Sequence, residues 1–207
     1  MVQISETRPR GRPRAYDPDD ALERATLAFW QAGFLATSLD ALSEATGMNR
    51  PSLYGAFGDK RALYLAALQR YVEAGKEAME AALNGGHPLR EALKRVYDTA
   101  LKMYYPPQAA PRGCFLIGTA AAEAVGDDAV RAALNNGLRE FDRGFERRFQ
   151  RAIASGELPL GTDAVMLSRL ASALLHTLAV RSRAGDKRSE LAATAAAGIT
   201  MICANAA

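Results

Sequence analysis

The chain has 207 residues, 49% of them hydrophobic and 24% charged, with a net charge of +3. That supplies a real apolar core and excludes wholesale disorder, while Cys114 and Cys203 are too few for a disulfide-stapled scaffold. The opening MVQISETRPR lacks the apolar stretch of a secretory signal, and the charge-free run 191–207 is too weakly apolar for a membrane span, so the expected setting is the cytoplasm, with no membrane partner.

In chain order, nearly everything reads as helix. A first helix starts at Asp17-Pro18 with acidic residues in its opening turn; Leu22, Ala25 and Phe29 form its apolar stripe, and Gly33-Phe34 stops it. A short second helix follows, with Thr37 and Asp40 in capping-box-like spacing and Leu39, Leu42 and Ala45 on one face. Gly47-Met48-Asn49 turns the chain into a third helix, about 50–57, capped by Asn49 with Pro51 in its first turn. A longer fourth helix opens after Gly58-Asp59 and runs to about Leu83, with Leu65, Leu68, Val72 and Met79 facing inward. Helices are then predicted over about 89–104, 113–125, 127–155, 163–184 and 187–204, separated at glycines and prolines.

Two histidines, His87 and His176, stand without a second His or Cys at ligand spacing, so no metal site is expected. Phosphate-cradling glycine loops, dinucleotide fingerprints and nucleophile elbows are absent, and no catalytic residue or cofactor is assigned.

Positive charge gathers in two short places. Residues 1–14 carry four arginines against Glu6, and residues 47–61 carry Arg50, Lys60 and Arg61 against Asp59; between them, residues 15–46 hold six carboxylates against Arg24. The pair of short helices between Thr37 and Phe57 fits a helix-turn-helix whose second helix docks in the major groove. Leu39, Leu42, Ala45, Met48, Leu53 and Phe57 would form its core, leaving Arg50, Ser52 and Tyr54 exposed. Arg50 suits a phosphate or a bidentate contact to guanine, Ser52 allows close approach, and Tyr54 offers a hydroxyl to phosphate. An ordinary helix pair in which Tyr54 merely packs fits the same pattern. Lys60, at the N-terminus of the fourth helix, works against the helix dipole unless a phosphate binds there; a solvated lysine is the plain alternative. The arm Arg8-Pro9-Arg10-Gly11-Arg12-Pro13-Arg14 is thin and extended enough for a narrow minor groove, with Arg10, Arg12 and Arg14 as candidate contacts.

The run from Thr37 to Tyr64, TSLDALSEATGMNRPSLYGAFGDKRALY, closely resembles the DNA-binding domain of TetR-type transcriptional regulators over about residues 14–64. The resemblance implies an all-α homodimer: a basic arm (1–14), a three-helix reader (15–62) and a larger effector-binding and dimerisation domain (63–207). Matching positions imply DNA contacts for Ser38, Arg50, Pro51, Ser52, Tyr54 and Lys60. Gly55-Ala56 stands where many relatives carry bulky side chains, which puts the target sequence beyond analogy. The implied activity is repression from a palindromic double-stranded operator, relieved by a small-molecule effector. A helical binding protein or enzyme with an incidental helix-turn-helix, and an architectural DNA-binding protein, are the competing readings.

In the second part, Leu167, Leu170, Leu174 and Leu178 form one helical stripe and Ala192, Ala196, Ile199 and Cys203 another. The resemblance implies that they pair with a partner copy; an internal core fits equally. The apolar stretch 113–123 suggests a cavity wall, with Tyr104, Cys114, Phe115, Gly118, Thr119, Leu174 and His176 as candidate ligand contacts. Arg112 and a helix start beside Cys114 predict a depressed thiol pKa, and hence a candidate thiol sensor; a buried structural cysteine is the alternative.

Overall fold

A computed structural model describes residues 17–204. The arm arginines Arg10, Arg12 and Arg14 lie outside the described residues. These residues fold into helices without a strand, in the order α1 (Pro18–Ala36), α2 (Leu39–Thr46), α3 (Arg50–Phe57), α4 (Lys60–Asn84), α5 (Leu89–Tyr104), a π-helical stretch (Leu116–Ala120) running into the single turn α6 (Ala121–Glu123), α7 (Asp128–Ala154), α8 (Ala164–Ala184) and α9 (Arg188–Ile202).

Local chemistry sets most boundaries. Asp17 caps α1 by accepting from the Asp19 N–H at 2.9 Å, with Pro18 pre-set for the first turn. Gly33, at φ +81°, breaks the helix and leaves 34–36 as a separate turn. The cap of α2 is Ser38, which accepts from the Ala41 N–H at 3.0 Å; the expected Thr37 is instead buried, its hydroxyl donating to the Gly33 carbonyl at 2.6 Å. Asn49 caps α3 as expected, accepting from the Ser52 N–H at 2.9 Å. Asp59 caps α4 and Asp127 caps α7 in the same way.

The segment expected as a regular helix over 113–125 departs furthest. Gly113 sits at φ +62° and the helix that follows is π-wound over 116–120. A close approach explains the glycine: a Cβ there would lie 2.4 Å from the Ala179 carbonyl oxygen of α8.

One apolar core runs through the molecule. The reader packs α1 against α2 and α4, and α4 continues into the second part, where it lies against α5 and α7. α7 packs on α8, and α9 closes against α5 and α8. Phe29, Trp30, Phe34, Tyr64, Tyr71 and Phe115 form an aromatic cluster bridging both parts, with centroid separations from 5.0 to 6.2 Å. Each fully buried ring there contributes about 1.5–3 kcal/mol by leaving water. α8 is long and apolar enough by composition to cross a bilayer, but its inner face packs in this core.

The two expected stripes, for which a partner face and an internal core both stood open, divide between them: Leu170, Ala192 and Ala196 are exposed. Leu178, Ile199 and Cys203 are buried inside the protomer, and Leu167 and Leu174 are partly covered. The exposed apolar stripe on α8 is Met166, Leu170, Ala173, Thr177 and Val180, and Met201 is exposed on α9 beside Ala193, Ala197 and Thr200.

Candidate functional site

On the outer face of α3, Arg50 and Tyr54 stand one helical turn apart and both are exposed, while Leu53 on the opposite face is buried. Pro51 is exposed and Ser52 half-buried beside them. The Arg50 guanidinium is not free: its Nε and Nη2 donate to Asp40 Oδ1 of α2 at 3.0 and 2.6 Å. That hydrogen bond and the carboxylate charge raise the arginine pKa, keeping a cation at the front of the reading helix. Ser38, exposed, spends only its lone pair on the cap, leaving the hydroxyl proton for an outside acceptor. Lys60 rests over the Phe34 ring, 4.4 Å from its centroid. The aromatic face thus accounts for an ammonium at a helix N-terminus without a bound phosphate.

Behind this face lies a cavity of about 370 Å³. α1 supplies Thr26, Leu27 and Trp30 to its wall; α4 supplies Tyr71 and Met79; α5 supplies Met103 and Tyr104; Cys114, Phe141 and His176 complete it. α4, which packs on α3, therefore also walls the cavity. At the rim, Arg70 of α4 pairs with Glu23 of α1 at 3.5 Å.

The sequence-derived ligand residues divide. Tyr104, Cys114 and His176 line this cavity. Phe115 instead packs in the aromatic cluster, and the Thr119 hydroxyl donates to the Phe115 carbonyl at 2.9 Å while accepting from Tyr64 Oη at 2.7 Å. Gly118 borders a second recess with Val180 and Arg183, and Leu174 packs against Gly198 of α9. Among the residues not foreseen, Trp30, Tyr71 and Met103 have spacing that reads as ordinary core, and Arg112 stood out in the sequence only as a neighbour of Cys114; their meeting is set by packing between elements far apart in the chain.

The expectation of a depressed Cys114 pKa is corrected. Burial pushes the thiol up, only partly opposed by the Tyr71 hydroxyl that donates to Sγ at 3.2 Å. Arg112 does not face the sulfur as a counter-ion; its guanidinium stacks on Trp30, 3.9 Å from the ring centroid. Burial likewise raises Tyr71 and Tyr104 well above the usual phenol range and lowers His176 against the pull of Asp142.

Several polar links join the reader to the second part besides the rim pair of Arg70 with Glu23. Trp30 Nε1 donates to the Gly113 carbonyl at 3.1 Å, and Arg183 of α8 reaches the Trp30 and Arg112 carbonyls, each at 3.5 Å. At the other end of the reader, Arg61 of α4 grips Asp127, whose carboxyl is held well below the usual range by that guanidinium and by the amides it caps.

Residues 21–67 match the family model described as bacterial regulatory proteins, tetR family, and residues 88–197 match the tetracyclin repressor-like C-terminal domain. The chain belongs to the TetR family. It is a DNA-binding transcriptional regulator with a helix-turn-helix reader. The HTH-type transcriptional repressor ComR of Escherichia coli (strain K12) is 32% identical over 184 residues, 88% of this chain and 87% of that protein. The HTH-type transcriptional repressor BdcR of the same organism is 39% identical over 106 residues, about half of each chain. Among solved structures, a cysteine mutant of the TetR family transcriptional regulator CifR, complexed with 26-bp double-strand operator DNA, superposes with a TM-score of 0.79. It is 34% identical, and the match covers 91% of this chain and 98% of that one.

Proposed function

We propose that this TetR-family chain is a cytoplasmic, homodimeric repressor of a palindromic operator, released from DNA by a small molecule that enters the interior cavity, and that it carries no enzymatic activity. The observation behind this reading is the double duty of α4, which packs against the exposed reading helix α3 near its start and walls the cavity with Tyr71 and Met79 farther along, with α1 beside it adding Thr26, Leu27 and Trp30 to the wall. A ligand that prefers one spacing of α1 and α4 weakens or strengthens operator binding by its differential affinity for the two states.

On this reading residues 15–62 are the DNA-binding domain and 63–207 the ligand and dimer domain. Ser38, Arg50, Pro51, Ser52, Tyr54 and Lys60 meet the major groove and its phosphates, and Arg10, Arg12 and Arg14 reinforce from the minor groove. The exposed stripes of α8 and α9, centred on Leu170 and Met201, face the partner copy. Repression is supported by the two repressors to which the chain is similar.

The test is selection of bound duplexes from a random DNA pool by the wild type and Tyr54→Ala in parallel. The expected result is a palindrome with half-sites about one helical turn (~34–36 Å) apart, lost in the mutant. Equal A·T-rich enrichment by both proteins would sink the regulator reading and leave only the arm binding DNA.

A further inference from the structure

We propose that the interior cavity takes a small organic anion, a carboxylate carried on an apolar aliphatic or aromatic body, with Arg112 as its counter-charge. This rests on the reading of the cavity as the ligand site and specifies its chemistry.

The argument is a charge inventory. Arg70, at the rim, already faces Glu23 at 3.5 Å and Asp19 at 3.8 Å. His176 is driven toward its neutral form by burial. Arg112 is different: half-buried, stacked on Trp30, its Nε donating to the Met103 carbonyl at 3.2 Å, and facing no carboxylate among the described residues. Its terminal amino groups make no hydrogen bond to the described residues, so the fork that suits a carboxylate is unspent. Burial lowers its pKa with only the Tyr71 phenol opposing, the signature of a desolvated cation without a partner.

A second group points the same way. Tyr104 is 2% exposed and lines the cavity, yet its hydroxyl has no hydrogen-bond partner among the described residues. That hydroxyl opens onto the cavity space rather than being sealed in the core, so it is a donor free to meet a ligand acceptor. The remaining wall, including Leu27, Met79, Val96, Leu116 and Leu175, is mostly apolar, with Thr26, its hydroxyl proton donated to the Leu22 carbonyl, and Thr99 as its neutral hydroxyls, which is poor in partners for a sugar or nucleotide. An organic cation is disfavoured because the unmatched charge is positive and the Trp30 face is already occupied by Arg112. The volume of about 370 Å³ sets a modest body size. Because the same guanidinium rests on Trp30 of α1, an anion that draws on Arg112 acts directly on a helix of the reader itself.

Trp30 is the single tryptophan of the chain, so intrinsic fluorescence of the full-length protein reads the cavity without any operator. The titrants are hexanoate, decanoate and phenylbutyrate, the amide of each, and decyltrimethylammonium. At least one acid is expected to give a saturable change and to bind at least about tenfold tighter than its amide, the usual scale of a charge-assisted hydrogen bond. Arg112→Gln should erase that preference and Arg112→Lys should keep part of it, with helical content checked by circular dichroism. The proposal is overturned if no acid saturates, if an amide or the ammonium matches the acids, or if Arg112→Gln keeps the preference. Should Arg112→Gln fail to fold, the acid-against-amide comparison in the wild type decides alone. A wild type that enriches an operator but shows no acid preference sinks this proposal only; one that enriches no operator sinks the regulator reading whatever the fluorescence shows.

Discussion

The indole N–H of Trp30 points at the carbonyl of Gly113 across 3.1 Å, pinning the first helix of the reader to the segment that enters the π-helical stretch. Trp30→Phe keeps an aromatic ring but leaves that buried carbonyl without its donor. The expected loss is about 1–3 kcal/mol of unfolding free energy, read by chemical denaturation. Operator affinity should survive, while its dependence on a cavity ligand should shrink; an unchanged ligand response would show that coupling does not pass through this bond.

Gly113 itself is the most sensitive glycine. An added Cβ meets the Ala179 carbonyl oxygen at 2.4 Å, and φ is +62°. Backbone strain and overpacking together should make Gly113→Ala about 2–4 kcal/mol less stable. Gly198→Ala is the control. Its Cβ would also meet an atom at 2.4 Å, but that atom is the flexible end of Leu174, and alanine gains helix propensity there. Calorimetry should show a much larger drop in Tm for the first variant than for the second.

The Arg50–Asp40 pair makes an opposite-signed prediction for its two members. Arg50→Ala should weaken operator binding and flatten the salt dependence by about one phosphate contact. Asp40→Ala releases the same guanidinium and should leave affinity equal or higher. Binding isotherms at several salt concentrations check both; parallel losses would mean that the pair orders the helix rather than serving DNA.

Alkaline pH should unfold the protein cooperatively. Burial raises Cys114, Tyr71, Tyr97 and Tyr104, and pushes Tyr64 up to about 12, so the folded state holds protons that the unfolded chain releases near its ordinary values, about 8.5 for a thiol and about 10 for a phenol. The stability these groups contribute is fully present below those unfolded values and falls as pH rises through and beyond them. Phenolate absorbance of the four buried tyrosines should therefore appear together with loss of helicity. Their ionisation in a protein that stays helical would contradict the burial.

Where the sequence is read by local rules, it is read well. Asn49, Asp59 and the glycines at 33, 47 and 58 act on their own neighbours, so the reader's helices fall within a residue or two of expectation. Thr37 and Ser38 show the limit: both suit a cap, and only tertiary burial of Thr37 decides between them. Over 113–125 the deciding partner is the Ala179 carbonyl, distant in sequence, so no local pattern reveals the Gly113 turn. The leucine stripe of α8 divides for a related reason, with Leu170 exposed, Leu178 buried and Leu167 and Leu174 partly covered. Leucine spacing finds an apolar face, but α8 has two, and the side that α7 and α9 cover depends on packing. The cavity is legible only in part because Trp30, Tyr71 and Met103 have the spacing and chemistry of core residues, and a void leaves no mark on periodicity.

The two cations of the reader proposed to meet the groove are held in the free chain, Arg50 by the Asp40 carboxylate and Lys60 by the Phe34 ring. Long basic side chains ordinarily lose much rotational freedom when they settle on a phosphate. On the proposed reading part of that entropy is surrendered already at folding, although the Arg50–Asp40 pair is exposed, so meeting the duplex is partly an exchange of partners. Association should accordingly carry a smaller ordering penalty from these two side chains than their length suggests, which favours a search made of many brief encounters along DNA.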